Sequence, residues 1–397
     1  MAQNVSAYIT PPYCCPRRLS IDEMNEFLRE LRVETAKPTK RKRFPNASTA
    51  GVSLADVAAH AGVSTATVSR VLNGTATVAA EAMERVQRAC RELNYVPNGA
   101  ARALSSRRTR TIGAVVPSIE NAGFAVAIGA LQRWLDAEGY TLIVASSDYD
   151  PAAELREASL LMSRGIDGLL LVGGEHHPDL IPMLAQQDVP FIETWTLSDH
   201  HPCVGFDNVA AGRQLADYLL DLGHVDIGVI AGRMRHNDRA SGRVAGVRQA
   251  LEARGLRLPT EWMIERPYRI LEGRLAMKAL LAAPTRPTAV ICGNDQLAFG
   301  AIIEARASGL SVPADISITG FNDLDFAAFL DPPLTTLSVP ADRIGIISGE
   351  YLLGRVLDRP VLRVNEIETR LVVRASAAPP RKGNDNGNNK GKGSRRS

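Results

Sequence analysis

Residues 53–73 read SLADVAAHAGVSTATVSRVLN. Leu54, Val57, Ala58 and Ala61 recur at i, i+3, i+4 and i+7, so a first helix here carries one apolar face. Gly62 adopts positive φ at little cost and suits a sharp turn after that helix. Ser64 is a good N-cap for a second helix, on which Val68, Val71 and Leu72 face back onto the first. The outward positions of the second helix are Thr65, Ala66, Ser69 and Arg70, small or hydrogen-bonding side chains plus one guanidinium. A helix with that face enters a DNA major groove without clashing. The periodicity by itself fits an ordinary helical hairpin inside a larger core equally well.

Residues 78–93 predict a third helix, with Met83, Val86, Cys90 and Leu93 at helical spacing, stopped at NYVPN by Pro97. The short segment GAARALSSRRTR follows, with one large apolar residue, Leu104, and then Arg107, Arg108 and Arg110. The strings LADVAAHAGVSTATVSRVLNG and VQRACRELNYVPNGAARAL, and farther on AVICGNDQLAFGA, ISITGFND and DPPLTTL, resemble the lactose/galactose repressor family of bacterial transcription factors. The resemblance spans residues 53–374, most of the chain.

Composition fits a multidomain protein of this kind. The 397 residues are 45% hydrophobic, enough for two domains and a linker with a sizeable core. No run of 18 apolar residues occurs, and the first thirty residues lack a basic start followed by an apolar stretch. Five cysteines without a C-x-x-C pair read as reduced thiols, so a cytoplasmic location is expected. Charge is uneven: residues 1–53 and 54–110 each carry a balance of +4, 378–397 carry +5, and 111–377 carry −10. A basic front on an acidic body suggests that only the front meets a polyanion. The C-terminal RKGNDNGNNKGKGSRRS reads as a disordered, solubilising tail. For the first fifty residues, with a possible helix at 21–33 and the basic run Lys40-Arg41-Lys42-Arg43, two readings stand. They add phosphate contacts ahead of the first helix, or the true start codon lies downstream.

From Thr111 onward, buried strands (TIGAVVP, YTLIVASS, GLLLVG, PFIETW, IGVIAG, TAVICGN, ISITGFN) alternate with amphipathic helices near 124–137, 151–163, 209–222, 239–254, 273–281 and 296–308. This pattern predicts parallel sheets covered on both faces. The resemblance implies two α/β lobes like those of periplasmic sugar-binding proteins, with crossovers near Asn208 and Pro340. The expected organisation is an extension at 1–52, an all-α helix-turn-helix domain at 53–97, a hinge helix and linker at 98–110, a two-lobed effector-binding and dimerisation core at 111–375, and a tail at 376–397.

Rival enzyme classes lack their signatures. Neither G-x-G-x-x-G after the first strand, nor a P-loop, nor a G-x-S-x-G elbow is present. His176-His177 and His200-His201 are adjacent pairs, expected in solvated loops rather than in a metal site. No catalytic residue, metal or cofactor is expected. A secreted sugar-binding protein would lack the N-terminal helical unit.

The resemblance implies that Arg70, Thr65 and Ala66 face base edges, that Ser53, Thr67, Ser69 and Asn73 bond phosphates, and that Leu54, Ser64, Asn98 and Ala101 also lie at the DNA. It implies that Leu104, on a hinge helix formed on DNA, wedges into the minor groove. It places Phe124, Trp195, Arg243, Tyr268, Asn294 and Asn322 at effector-contacting positions, with Asn322 standing where many members carry Asp. Ligands of open α/β sheets bind beyond the carboxyl ends of the strands, where these residues fall. Asn or Asp after a strand is often only a helix cap, a reading that stays open for Asp295 and Asp323. The expected partners are a palindromic double-stranded operator, a second copy of the chain and a small-molecule effector, with no membrane. FIETWTL and VGFDNVAAGR look most like gluconate-type repressors. With Arg243 available for a carboxylate, a sugar acid is the first expectation; a neutral or phosphorylated sugar stays open.

Overall fold

The computed structural model describes residues 52–73, 78–96 and 108–381. The chain divides into two compact units, Met1–Pro97 and Asn98–Ser397.

The first unit contains α1 (Leu54–Ala61), α2 (Thr65–Asn73) and α3 (Ala80–Glu92). A capping box starts α1: the Asp56 amide donates to the Ser53 hydroxyl at 3.3 Å, and the Ser53 amide donates to the Asp56 carboxylate at 2.8 Å. Two otherwise orphaned amides are thereby satisfied. Gly62 ends α1 at φ 64, and Ser64 caps α2 by accepting from the Thr67 amide at 3.1 Å. Val57, Ala58, Ala61, Val68, Val86 and Ala89 form a buried core, with Leu54, Val71, Leu72, Cys90 and Leu93 packed around it. His60 Nε2 and Glu92 Oε2, 2.6 Å apart, tie the last turns of α1 and α3. The expected third helix starts two residues later than its spacing suggested, and Met83 is exposed rather than internal. Val86 and Ala89 already fill the narrow stripe that faces α1 and α2.

The second unit begins with β1 (Thr111–Val116), α4 (Ala122–Ala137), β2 (Thr141–Ser146), α5 (Pro151–Ser163), β3 (Gly168–Val172), α6 (Leu180–Gln186), β4 (Phe191–Thr194) and β5 (Cys203–Gly205). It continues with α7 (Asn208–Asp221), β6 (Ile227–Ala231), α8 (Asp238–Ala253), β7 (Met263–Glu265), α9 (Ile270–Leu281), β8 (Ala289–Cys292), α10 (Asp295–Ala307), β9 (Ser317–Asn322) and β10 (Thr335–Ser338). It closes with α11 (Ala341–Val356), β11 (Val364–Glu366) and β12 (Arg370–Val372).

Two six-stranded sheets result, in the orders β11-β5-β4-β3-β1-β2 and β12-β10-β9-β8-β6-β7. The strands run parallel except β12, which is antiparallel to β10. The carboxyl ends of the parallel strands in both lobes point at the interlobe cleft, so the chain changes lobe there. It passes after β5 into α7, after β10 into α11, and after β11 into β12. A strand entering the second lobe from its cleft edge must run away from the cleft, which makes β12 antiparallel. The first two crossings fall at the expected Asn208 and Pro340; the third, with α6, α11 and the short strands β5, β7, β10, β11 and β12, was not anticipated.

Three apolar clusters fill the unit. One covers the α5 and α6 side of the first sheet, and one the α9 and α10 side of the second. The largest runs through both lobes by way of Trp195, Phe206 and Phe321. Helices α7 and α8 meet through glycines: a Cβ at Gly246 would overlap the Val209 carbonyl, and one at Gly212 the Arg243 carbonyl.

Two boundaries shift. Thr109 and Arg110 donate their amides to Asp167 at 3.0 and 2.8 Å, so residues 109–110, expected in the linker, belong to the first lobe. Ser376, expected in the tail, is buried and donates to the Ile318 carbonyl at 2.6 Å, so the second lobe continues past it. The extension at 1–51, the basic tail at 382–397, and Asn98, Ala101, Leu104 and the side chain of Asn73 lie outside the described residues.

Candidate functional site

All six residues expected at the effector, Phe124, Trp195, Arg243, Tyr268, Asn294 and Asn322, line one interlobe chamber of about 370 Å³, counting its mouth. Phe124 opens helix α4, Trp195 follows β4, Arg243 sits in α8, and Asn294 and Asn322 stand at the ends of β8 and β9. The family resemblance that singled them out holds as a placement: strand ends and the neighbouring helices bring them together across two lobes.

The chamber has an aromatic spine. Phe124 meets Trp195 edge-on at 5.4 Å, Trp195 meets Phe206 at 6.4 Å, and Phe206 meets Phe321 at 5.9 Å. The Arg243 guanidinium lies 4.3 Å from the centre of the Phe321 ring and donates to the Tyr268 hydroxyl at 2.9 Å. Its Nε is buried without a hydrogen-bond partner, as is Oδ1 of Asn208. Buried polar atoms are normally paired, so an orphaned donor and acceptor in one cavity point to a polar ligand.

Asparagines do two jobs here. Asn294 accepts from the Leu297 amide at 2.9 Å, and Asn121 from the Gly123 amide at 3.1 Å, so each caps a helix while lining the chamber. The cap and the ligand contact are therefore not alternatives. The neighbouring aspartates lie outside the set: Asp295 is buried and accepts from Thr336 at 2.6 Å and Leu324 at 2.7 Å, and Asp323 pairs with Arg374. Burial pushes the Asp295 carboxyl up to about 7 against the opposing hydrogen bonds.

The backbone is strained around the cleft. Asp148, Tyr149, Trp195, Asn322 and Asp323 all have positive φ, and the value of 67° is unusual for a side chain as bulky as Trp195. Such residues concentrate where a side chain must be aimed rather than relaxed.

Seven lining residues were not among those expected: Asn121, Tyr149, Phe206, Asn208, Asn237, Arg239 and Gly293. Arg239 was within reach, since it precedes Arg243 by one helical turn in NDRASGRVAGV. It is buried, donates to the Val172 carbonyl of the first lobe at 3.2 Å, and pairs with Asp238 at 2.6 Å. Asp238 in turn accepts from the Gly174 amide at 3.0 Å. On another side of the cleft Arg269 donates twice to Glu120, at 2.6 and 2.9 Å. No Asp or Glu lines the inner chamber among the described residues, whereas two arginines do.

The histidine pairs do not lie wholly in solvent. His176 is buried, with Nδ1 2.8 Å from Glu154 and Nε2 3.5 Å from Glu193, and His201 Nδ1 is 2.6 Å from the same Glu193. Adjacent side chains do diverge, but one of each pair turns inward onto a buried carboxylate. Burial opposes charging of His176, yet its hydrogen bonds to Glu154 and Glu193 push the imidazole up to about 9. Among the described residues no group of three His, Cys, Asp or Glu is placed to hold a metal ion, and no helix is long and apolar enough to cross a membrane.

In the first unit, Thr65, Ala66 and Arg70 are exposed on α2, as a groove-facing helix requires. Thr67 and Ser69 are half-buried. The hydroxyls of Ser53 and Ser64 already serve helix caps, and Leu54 packs against the helical core.

The family model for periplasmic binding proteins and the sugar-binding domain of the LacI family matches residues 109–375, and that for bacterial regulatory proteins of the lacI family matches residues 53–98. The chain belongs to the LacI family. It is 37% identical to the HTH-type transcriptional repressor PurR of Pectobacterium atrosepticum, over 81% of this chain and 96% of that one. Its fold is similar to that of the Lac repressor dimer solved with operator and the anti-inducer ONPF, at 29% identity and TM-score 0.74, covering 82% of this chain and 99% of that one. It is also similar to transcription regulator GntR from Chromobacterium violaceum, at 31% identity and TM-score 0.64, covering 67% and 99%. This LacI-family protein is a DNA-binding transcriptional regulator with a ligand-binding core.

Proposed function

We propose that this regulator is a repressor of genes for carbohydrate or sugar-acid catabolism, released from or locked onto its operator by a sugar acid held between the lobes. The observation that carries the effector class is Arg243: its guanidinium lines the inner chamber with a buried nitrogen unpaired, while the second arginine there, Arg239, is already held by Asp238, and amides and aromatic faces complete the wall. A guanidinium with an orphaned donor suits a carboxylate, the asparagines suit hydroxyls, and the rings suit the apolar face of a sugar. The resemblance of FIETWTL and VGFDNVAAGR to gluconate-type repressors agrees with this.

Two copies pair through their cores, and the twofold dimer reads an inverted-repeat operator. Ile270, Leu271 and Leu275 on α9 and Phe329 nearby in sequence to β10 are exposed large apolar side chains of the second lobe, which suits such pairing. Thr65, Ala66 and Arg70 read bases, while Ser53, Thr67, Ser69 and Asn73 position the helix on phosphates. Leu104, by the family resemblance, wedges the minor groove. The protein works in the cytoplasm, without metal or cofactor, and catalyses no reaction.

A thermal-shift screen of sugars, aldonic acids, sugar phosphates and nucleobases tests the effector class, because a ligand well above its dissociation constant raises apparent stability. Aldonic acids are expected to stabilise the protein and Arg243→Ala to remove both the shift and the effector response while operator binding persists. Stabilisation by nucleobases alone would favour a planar ring against Phe124 and Trp195 instead. Leu104→Ala is expected to weaken operator binding by the few kcal/mol of an unstacked base step, roughly, and to spare effector affinity.

A further inference from the structure

A second cavity adjoins the inner chamber, about 710 Å³ against 370 Å³ with the open mouth of each counted. The two share Asn121, Tyr149 and Tyr268, so they are successive compartments of one cleft, with tyrosines of opposite lobes at the neck. Their chemistry differs. The inner compartment presents Arg243 with an unpaired nitrogen, its second arginine, Arg239, being held by Asp238, whereas the outer one balances Arg233 and Arg269 with Glu120 and Asp148. A charged end group is therefore favoured inside. The charges of the outer compartment cancel, with Glu120 held by Arg269, so a distal phosphate or carboxylate gains no net attraction there.

The outer walls suit an uncharged sugar ring. Tyr149 and Tyr268 offer aromatic surface, and Asp148 with Arg233 offers an acceptor and a donor fork for hydroxyls. Asp148 and Tyr149 are consecutive non-glycine residues at φ 49 and 61, a backbone held out of its preferred region that projects Tyr149 into the neck. Burial, with Tyr268 alongside, pushes the Tyr149 phenol well up, so it stays a hydroxyl donor.

We infer that the effector is a two-unit sugar acid, its carboxylate on Arg243 of the inner chamber and its neutral second unit, a sugar ring, between Tyr149 and Tyr268 in the outer compartment. This rests on the reading of the inner chamber as an acid-binding effector site and adds the length and polarity of the ligand.

Calorimetric titration of the full chain with gluconate, cellobionate, 6-phosphogluconate and cellobiose tests it. Cellobionate is expected to bind at least about tenfold tighter than gluconate. Asp148→Asn, which keeps a residue tolerant of positive φ, and the exposed Arg233→Ala are each expected to remove most of that advantage and leave gluconate affinity unchanged. Equal affinity for gluconate and cellobionate, equal weakening of both acids by the two variants, or a preference for 6-phosphogluconate would overturn the inference while leaving the acid-binding chamber standing. Binding of cellobiose with no binding of any acid would overturn the acid-binding chamber itself, and the inference with it.

Discussion

The amide of Gly174, beyond the end of β3 in the first lobe, donates to the carboxylate of Asp238 at the start of α8 in the second, at 3.0 Å. The same carboxylate holds Arg239, which reaches the Val172 carbonyl of the first lobe. One acidic side chain thus fastens the two lobes at a point next to the chamber wall. Arg239 is thus both part of the chamber wall and part of the contact between lobes, so a ligand in the chamber is expected to bias how the lobes close. A ligand shifts the equilibrium between open and closed cores only through unequal affinity for them, and this arrangement supplies the inequality.

Asp238→Ala is expected to open the unliganded core. Hydrogen bonds to charged groups contribute about 1.5–3 kcal/mol each, so the closed form should lose roughly one to two decades of population. Small-angle scattering of the unliganded variant should show a larger radius of gyration than wild type, and effector affinity should fall with it. An unchanged scattering profile would show that the Gly174–Asp238 contact does not hold the lobes together.

His176, two residues beyond Gly174 and buried, is expected to give the core a pH dependence. His176 lies between Glu154 and Glu193, with His201 on the far side of Glu193, and its folded-state value of about 9 stands above the ordinary 6.5. A raised value means that the protonated imidazole stabilises the fold. That contribution is complete below 6.5, declines as pH rises, and is lost through 9, where the buried Glu154 and Glu193 lose the cation they share. The thermal midpoint of wild type is expected to fall between these values more steeply than that of His176→Gln. Parallel slopes for the two proteins would exclude His176 as the titrating group.

The glycines between α7 and α8 set the height of Arg239 and Arg243 above the cleft. A methyl group on Gly246 would overlap the Val209 carbonyl, a backbone atom that cannot rotate away. Gly246→Ala is expected to destabilise the core by roughly the 1–3 kcal/mol typical of overpacking. It should also weaken effector binding by displacing α8, whereas Gly255→Ala, with open space around it but φ 71, should weaken stability alone. Chemical denaturation and titration of both variants separate the two effects.

Much of this was legible in the chain. The first two helices, the turn at Gly62 and the cap at Ser64 follow from local pattern, because a small helical unit is built from contacts a few residues apart. The six chamber residues were found through the family resemblance, and for those at strand ends the recurrence of such ends at one edge of a parallel sheet agrees with it. What escaped the sequence depends on distant pairing. Tyr149 and Asn121 line the chamber only because β2 ends and α4 begins at the cleft where β9 also ends. The inward turn of His176 requires Glu154 and Glu193, 22 residues before it and 17 after it, to converge. Helix α11 was missed although it is 16 residues long, since ADRIGIISGEYLLGRV is apolar or small on most of its surface and is buried between β3, β4 and α4 rather than amphipathic.

Arg70 is the one charged side chain exposed on α2 among its described positions, beside the small residues Thr65 and Ala66. If it reads a base, its loss should be specific. A guanidinium bidentate to guanine discriminates by about 1–3 kcal/mol per base pair, whereas a phosphate contact weakens every sequence alike. Arg70→Ala is therefore expected to lower affinity for the cognate inverted repeat by that amount and to flatten the preference at one symmetric pair of positions. Arg70→Lys should recover charge but little of the preference, because an ammonium lacks the fork. Competition binding at fixed salt against duplexes substituted one position at a time distinguishes the cases. Uniform weakening across all duplexes would assign Arg70 to the phosphates and leave base readout to Thr65 and Ala66.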